Sequence, residues 1–212
     1  NSADKMSQAI AADKVLVFVY YSGFATSYGN LSSWGQADPT GCHYALGTPL
    51  DDSGRIIIKA NSITERDLID KLSEASCAGV KIDLIIRGIC CLRGGVVGET
   101  DNIRIISVVG RFLEHSRIYI FGEGAEAKTF ISSADWMTRN TLRRVEVATP
   151  ILDADCKARL ERIFDVIWCD NVQAREEQPD GNYRRRYPGV NTPLSSQNWL
   201  YDEAYRMAAQ IK

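Results

Sequence analysis

A histidine and an arginine two positions apart, His115 and Arg117, are the first residues whose types and spacing indicate chemistry. The chain has 212 residues and only two histidines, one of them in the segment RFLEHSRIYIF. Alternate side chains of a strand share a face, so we predict that His115, Arg117 and Tyr119 project together. Ile118 and Ile120 are then predicted to face the core. An arginine is a planar bidentate donor and an imidazole is a donor or a nucleophile, so the pair suits a phosphate.

Arg87 adds weight to an anion site. It ends the apolar run KIDLII and precedes a glycine-rich loop, and ligands of parallel sheets gather at the carboxyl ends of strands. Two plainer interpretations stay open. His115 can be a half-buried imidazole bonded to backbone, and Arg87 can extend into solvent from a strand end. Glu114 is predicted on the opposite face, where it is poorly placed to orient His115.

A third candidate is the segment ISSADWMTRN, at the end of a predicted strand. Its hydroxyls, such as Ser133, and the backbone N–H groups of a turn can hold an anion. Asp135 belongs to the same segment, although its more common use is to cap a turn or helix. Arg139 follows shortly after. This segment therefore supplies further candidates for one phosphate site.

The other polar motifs give no comparable indication of a functional site. The run Arg184–Arg186 is interpreted as a solvated face. Cys42 and His43 lack further ligands at useful spacing, so no metal site is predicted. The chain has no Gly-x-x-x-x-Gly-Lys-Ser/Thr loop. Its six cysteines form no Cys-x-x-Cys pair and fit a reducing cytosol.

Bulk composition excludes several classes of protein. The formal net charge of −2 provides no overall positive field, so we expect no nucleic-acid partner. No apolar run reaches the 18 or so residues that a membrane-spanning helix needs. The hydrophobic content of 45% and charged content of 25% are those of a globular domain.

Residues 1–50 differ in texture from the rest. VLVFVYY (15–21) predicts a strand, and the following residues, rich in Gly, Ser, Tyr and Trp, predict mostly loop. We leave 1–50 as an unassigned N-terminal segment. The chain starts at Asn1 without a signal-peptide pattern, and we interpret it as a fragment of a longer protein.

From residue 51 the pattern predicts a βαβ unit. The runs RIIIKA (55–60) and KIDLII (81–86) predict buried strands. Thr64 is the expected N-cap of the intervening helix, and Gly79 is expected to end it. The two strands are therefore predicted to be parallel. The other predicted elements are strands at 103–109 and 143–149, a hairpin at 116–133, a helix at 153–170, a polar, turn-rich excursion at 175–193, and a closing helix capped by Ser195 or Ser196.

Several blocks in this order resemble type-1 polyphosphate kinases near their C-terminus. They are the segment IIIKANSITERDLIDKLSEASCAGVKIDLIIRGICCL, then DNIRIISVVGRFLEHSRIYIF, ISSADWMTRN, RRVEVATPI and PDGNYRRR. The likeness runs over 51–212, while 1–50 are not family-like. The family is similar to the phospholipase D superfamily. The resemblance implies an α/β fold with a mixed β-sheet flanked by helices, one half of a two-half arrangement.

The resemblance also implies a transferase reaction. The terminal phosphate of ATP passes to a histidine in the half absent from this chain and then to polyphosphate, reversibly and with Mg²⁺ bound mainly by that half. Arg87 and His115 match nucleotide-binding positions, and His115 is the expected catalytic residue. Weaker candidates for ATP or phosphate binding are Arg117, Ser133, Asp135 and Arg139.

The implied partners are ATP, ADP and inorganic polyphosphate, in a homo-oligomeric full-length enzyme. The implied location is the cytoplasm, including the periphery of the inner membrane. We expect this chain alone to be inactive. Two alternatives remain: a non-catalytic anion-binding or interface module, and a stand-alone phosphodiesterase with His115 as nucleophile.

Overall fold

The computed structural model describes residues 16–19, 54–124 and 127–210. The predicted loop after residue 21 and the Cys42/His43 pair lie outside these ranges. In chain order the elements are β1 (Leu16–Val19), β2 (Arg55–Ala60), α1 (Arg66–Cys77), β3 (Lys81–Ile86), β4 (Ile103–Ser107), β5 (Ile118–Phe121), β6 (Lys128–Ser132), α2 (Thr138–Arg143), β7 (Val145–Ile151), α3 (Ala154–Trp168), β8 (Arg175–Glu177), β9 (Tyr183–Arg185) and α4 (Ser196–Gln210).

The strands of the described residues form one mixed sheet. Their order is β1-β7-β6-β5-β2-β3-β4-β8-β9. As predicted, β2 and β3 are parallel, and β4 continues the parallel set. The predicted hairpin is also present, because β5 pairs antiparallel with β6. β1, which lies within the unassigned segment 1–50, pairs antiparallel with β7. The sheet is thus parallel at its centre and antiparallel towards both edges.

Two hydrophobic clusters, one on each face, hold the sheet between helices. Alternate side chains of β2 divide between them, with Ile56 and Ile58 in one cluster and Ile57 in the other. The first cluster includes Leu72 of α1, and the second includes Phe164 of α3. Burial on both faces explains why β2 and β3 are continuous apolar runs. Among the helices of the described residues, none has both the length and the apolarity to cross a membrane.

The start of α1 differs from the prediction, and its end agrees. Glu65, and not Thr64, is the N-cap, and it makes no side-chain cap. The Thr64 N–H instead donates to the carbonyl of Trp136 at 2.7 Å, so Thr64 belongs to a loop contact before the helix. At the other end, Gly79 has a φ of +93°. Its N–H donates to Ser76 O and the next N–H donates to Ala75 O, which is a Schellman motif.

Two predictions towards the C-terminus need correction. The segment 175–193 is not only a turn-rich excursion, because β8 and β9 extend the sheet from the edge of β4. Their sequences, REE and YRR, lack the apolar alternation by which strands are recognised. The start of α4 is not capped by the Ser195 hydroxyl. Asp170 accepts from both the N–H and the hydroxyl of Ser196, each at 2.8 Å.

Candidate functional site

Five strands of the sheet place polar residues along one edge, which is the edge where the carboxyl ends of β2 and β3 lie. The parallel strands β2 and β3 end there, which places Asn61 and Arg87 just beyond them. The antiparallel neighbours bring Arg117 to the start of β5 and Asp135 shortly after the end of β6. Glu146 lies near the start of β7 at the same edge. Topology therefore gathers residues that are far apart in sequence.

A continuous series of contacts runs from Arg87 to Asp135 through Asn61. Arg87 Nε donates to Asn61 Oδ1 at 2.6 Å. The Asn61 side-chain amide donates to Asp135 Oδ1 at 3.0 Å, and the Asn61 backbone N–H donates to the same oxygen at 2.7 Å. The amide oxygen and amide nitrogen of Asn61 thus join a cation to a buried carboxylate.

Strand register explains why Asn61 meets Arg87. Ala60 of β2 pairs with Ile86 of β3, so the next residues along each strand are neighbours. The Gly88 N–H then donates to Asn61 O at 2.8 Å. A Cβ added at Gly88 would lie 2.8 Å from that oxygen, so this approach of two backbones requires glycine.

The same series continues from Asp135 to His115. Arg117 donates to Asp135 through Nε at 3.1 Å and through Nη2 at 2.9 Å. The terminal nitrogens of Arg117 also lie 3.3 Å from each ring nitrogen of His115, and Nη1 donates to His115 O at 3.1 Å. His115 itself is exposed. The described residues therefore join Arg87, Asp135, Arg117 and His115 into one cluster.

The strand geometry around His115 needs one correction. β5 begins at Ile118, so His115 and Arg117 precede the strand and meet through side chains instead of through strand alternation. Ile118 and Ile120 face the core as predicted. Tyr119 is buried, and its hydroxyl donates to Ala134 O at 2.7 Å. Tyr119 thus supports the turn before Asp135 and does not line an open surface.

Electrostatics hold Asp135 ionised. Burial alone would raise the pKa of Asp135, but hydrogen bonds from Arg117 and Asn61 outweigh burial and keep that pKa below its usual value. The hydrogen bond to Asp135 likewise raises the pKa of Arg117. Only 11% of the Arg117 side chain and 4% of the Asp135 side chain is exposed. The pair is consequently a buried, permanently charged support for the exposed imidazole.

Lys59 is a further cation at this edge that the sequence did not single out. It is buried, and its Nζ lies 2.9 Å from Ser116 Oγ and 3.2 Å from Glu114 Oε2. Burial lowers the pKa of Lys59, Glu114 opposes that change, and the charges of Arg87 and Arg117 lower the pKa further. The charges of both arginines therefore disfavour the protonated form of Lys59.

The other two predicted residues do not join this series of contacts. The Ser133 hydroxyl donates to Glu146, and the same hydroxyl accepts from the Val147 N–H at 3.0 Å. Glu146 is buried and also accepts from Asn140 at 2.5 Å. Arg139 lies exposed on α2. Ser133 thus forms its hydrogen bonds with β7, and Arg139 is exposed and makes no hydrogen bond with the cluster.

The arrangement suits an anion better than a metal ion. Within the described ranges, no three His, Cys, Asp or Glu side chains group as a metal site. The carboxylates at the edge already accept from protein donors: Asp135 from Arg117, Glu114 from Gln197 and Glu146 from Ser133. They do not offer the free oxygens that Mg²⁺ requires. The guanidinium of Arg87 and the imidazole of His115 can instead bind phosphate oxygens.

Sequence reasoning missed Asn61 within the cluster, Lys59 beside it, and Glu146, the partner of Ser133. Asn61 follows a strand as Arg87 follows the next one, and that shared position was a usable signal. Lys59 within RIIIKA and Glu146 within RRVEVAT resemble ordinary strand residues. Their hydrogen-bond partners Ser116 and Ser133 lie 57 and 13 positions away, respectively, and no local pattern reveals such contacts.

Comparisons with known proteins point to one family. Residues 48–197 match the family model described as polyphosphate kinase C-terminal domain 2. The chain is 51% identical over 154 residues to a polyphosphate kinase of Bacillus cereus, covering 73% of this chain and 22% of that protein. It is 51% identical over 146 residues to one of a Synechocystis species, covering 69% and 20%. The chain thus spans about a fifth of the length of these relatives.

The solved structures include a matching fold. The crystal structure of polyphosphate kinase from Porphyromonas gingivalis superimposes with a TM-score of 0.75 at 30% identity, covering 93% of this chain and 28% of that one. Nuc from Salmonella typhimurium, a phospholipase D family member, gives a TM-score of 0.45 at 16% identity, covering 64% and 90%.

Proposed function

The chain belongs to the polyphosphate kinase C-terminal domain 2 family, and from this premise we propose that it supplies ATP- and phosphate-binding residues to a polyphosphate kinase. The proposed reaction transfers the terminal phosphate of ATP reversibly to polyphosphate. In this proposal a phosphohistidine is formed outside the residues described here. The chain contributes the groups that bind and neutralise the transferring phosphate.

The series of contacts from Arg87 to His115 is the observation that carries the proposal. Asn61 accepts a hydrogen bond from the Nε of Arg87 and from no other nitrogen of that guanidinium. In the part of the chain that the structure describes, the terminal amino groups of Arg87 have no protein acceptor, so they are free to bind phosphate oxygens. Arg117 is held by Asp135 and serves mainly to support His115. We therefore propose that the strand-end Arg87 and the exposed His115 bind the same anion.

These groups match what phosphoryl transfer requires. Negative charge spreads over the equatorial oxygens of the transferring group, and fixed cations stabilise that charge. Arg87 supplies a permanent cation, and His115 can donate a proton to, or accept one from, the leaving oxygen. Mg²⁺ is proposed to bind with the nucleotide and mainly to the other half of the enzyme. The carboxylates described here do not fit it, and no step is assigned to it.

The first test measures ATP affinity of this chain by calorimetry. We expect Arg87→Ala to weaken ATP binding about 10- to 100-fold, because a charge-assisted hydrogen bond contributes about 1.5–3 kcal/mol. The matched control is Arg159→Ala, which removes an exposed arginine of α3 that is not a candidate for the phosphate site. Equal affinities for the wild-type chain and Arg87→Ala would remove Arg87 from the site.

The second test measures polyphosphate elongation from ATP. The chain is assayed alone and together with the remaining part of the Bacillus cereus relative supplied in trans. We expect elongation only in the second arrangement. Because the chain spans 22% of that relative, a second candidate is an anion-binding module. ATP binding without elongation in either arrangement favours that module. Phosphodiester hydrolysis by the chain alone, lost in His115→Ala, favours a phosphodiesterase.

A further inference from the structure

The segment that carries His115 is held from α4 by one buried side chain. Gln197 is 4% exposed. Its Oε1 accepts from the Phe112 N–H at 2.8 Å, and its Nε2 donates to Phe112 O at 2.9 Å. The same Nε2 donates to Glu114 Oε1 at 2.9 Å. One amide group thus fixes both backbone polar groups of Phe112 and the side chain next to His115.

Lys59 holds the same segment from the sheet. Its Nζ, on a side chain that is 4% exposed, contacts Glu114 Oε2 at 3.2 Å. It also donates to Ser116 Oγ at 2.9 Å and lies 3.4 Å from Ser116 O. The two oxygens of Glu114 therefore bind donors from two different elements. His115 lies between residues that are each fixed by Gln197 or Lys59.

Further contacts hold the N-terminal end of this segment, although most of its residues are exposed to solvent. A Cβ at Gly110 would lie 2.5 Å from Gln173 Oε1 and 2.7 Å from Gln197 Oε1. The Phe112 ring stacks on Tyr201 of α4, with centroids 5.7 Å apart. Arg111 lies over both rings, at 4.8 Å and 5.0 Å from their centroids. Helix α4 is therefore in contact with the His115 segment along its first two turns.

We propose that Gln197 and Lys59 are positioning residues that fix the backbone on both sides of His115 and so set the direction of its imidazole. A buried amide that makes three hydrogen bonds to one short segment specifies a unique geometry more strongly than apolar contact does. Supporting groups of this kind hold a reacting side chain within the narrow range that catalysis needs. The role in phosphoryl transfer rests on the proposed function. The orientation of His115 does not.

Nuclear magnetic resonance of the histidine rings tests the orientation directly. The chain has two histidines, so the ring signals of His115 can be assigned with a single His43→Gln variant. In Gln197→Ala we expect the His115 signals to move towards those of a free imidazole or to broaden, while the His43 signals stay unchanged. The control is Glu203→Gln. It breaks the ion pair that Glu203 of α4 makes with Arg162 at 2.5 Å and makes no contact with the His115 segment.

Activity provides the second readout, measured with the relative's remaining part in trans. We expect Gln197→Ala to lower kcat up to about 100-fold, the loss that a displacement of about 1 Å can produce, and to change the KM for ATP much less than kcat. Lys59→Met should behave similarly, and Lys59→Arg should recover part of the loss. Glu203→Gln should retain the wild-type kcat. A merely structural role would lower the amount of folded protein without this split between kcat and KM.

The two proposals fail separately. If the wild-type chain binds no ATP, the proposed function fails, whereas a changed His115 signal in Gln197→Ala still supports positioning. If a folded Gln197→Ala chain retains wild-type His115 signals, the positioning inference is overturned. Should that variant not fold, Gln197→Glu keeps the volume and the acceptor for the Phe112 N–H but loses both donated bonds. Unchanged His115 signals in Gln197→Glu overturn the inference equally.

Discussion

The guanidinium of Arg117 lies against the imidazole of His115, with Nη1 3.3 Å from Nδ1 and Nη2 3.3 Å from Nε2. The same guanidinium is bound to Asp135 by two hydrogen bonds. The buried carboxylate of Asp135 therefore fixes the guanidinium of Arg117, and this guanidinium in turn contacts the imidazole of His115. Three further contacts from Asn61 make that carboxylate the centre of the cluster.

Arg117→Lys is expected to loosen His115 although it keeps the charge. An ammonium cannot make the two-point contact with Asp135 and still reach the imidazole, since it lacks the planar fork. We expect the free energy of unfolding to fall by about 1–3 kcal/mol, measured by urea denaturation. The His115 ring signals should move as well. Arg139→Lys, on an exposed arginine, should change neither quantity. A wild-type urea midpoint for Arg117→Lys would contradict the role assigned to the fork.

Asn61→Ala is expected to weaken ATP binding although it replaces none of the residues proposed to bind phosphate. The change removes the acceptor for Arg87 Nε and leaves Arg87 free to adopt other rotamers. Calorimetry should show a loss of affinity of about tenfold, smaller than the loss for Arg87→Ala. The double variant Asn61→Ala/Arg87→Ala should lose no more than Arg87→Ala alone. Additive losses would show that Asn61 acts independently of Arg87.

Asp135→Asn is expected to change the acid stability of the protein. The folded-state pKa of Asp135 lies below its ordinary value, so the charged form is favoured by folding. Its contribution is complete above pH about 4 and is lost as the pH falls through the folded-state pKa. At pH 7 the variant should lose about 3 kcal/mol of stability, because Arg117 is left buried without its partner. Below pH about 4 its stability should depend less steeply on pH. Urea denaturation at several pH values would falsify this assignment by giving parallel curves for the two proteins.

Gly88→Ala is expected to disturb the site through the backbone. The new Cβ would lie 2.8 Å from Asn61 O and 3.0 Å from Ser62 Oγ, and backbone on a packed strand end cannot move freely. Thermal unfolding should show a loss of about 1–3 kcal/mol, typical of an overpacked position, together with weaker ATP binding. Gly122→Ala offers a contrast, because its nearest contact would be 3.7 Å away and only its positive φ is strained. Gly122→Ala should lose stability but retain ATP affinity.

Sequence patterns predicted the frame of the site better than its internal contacts. The runs RIIIKA and KIDLII predicted parallel strands because a helix joins them through short connections, and Arg87 directly follows the second run. His115 and Arg117 do lie next to each other, as predicted. Both precede β5, however, so their side chains meet without the strand alternation on which the prediction was based. Thr64 was wrong as an N-cap because the helix begins one residue later, after Glu65, and the N–H groups of Thr64 and Glu65 both donate to Trp136 O. Partners so distant in sequence leave no local trace.

β8 and β9 show the same limit at the level of secondary structure. Three charged or polar residues in a row carry no strand signal, and Arg175–Glu177 becomes a strand because β4 offers an unpaired edge. Gln197 likewise looked like an ordinary residue near a helix start. Its meaning depends on Phe112, 85 positions earlier.

That separation has a consequence for biosynthesis. A ribosome that has released the chain through β7 has delivered Asn61, Arg87, Arg117 and Asp135, whereas Gln197 of α4 has not yet been synthesised. The orientation of His115 has to wait for α4 to emerge and fold back onto residue 112. Because a domain generally folds as a unit, we expect the contacts around Asp135 to become stable only after α4 has been synthesised.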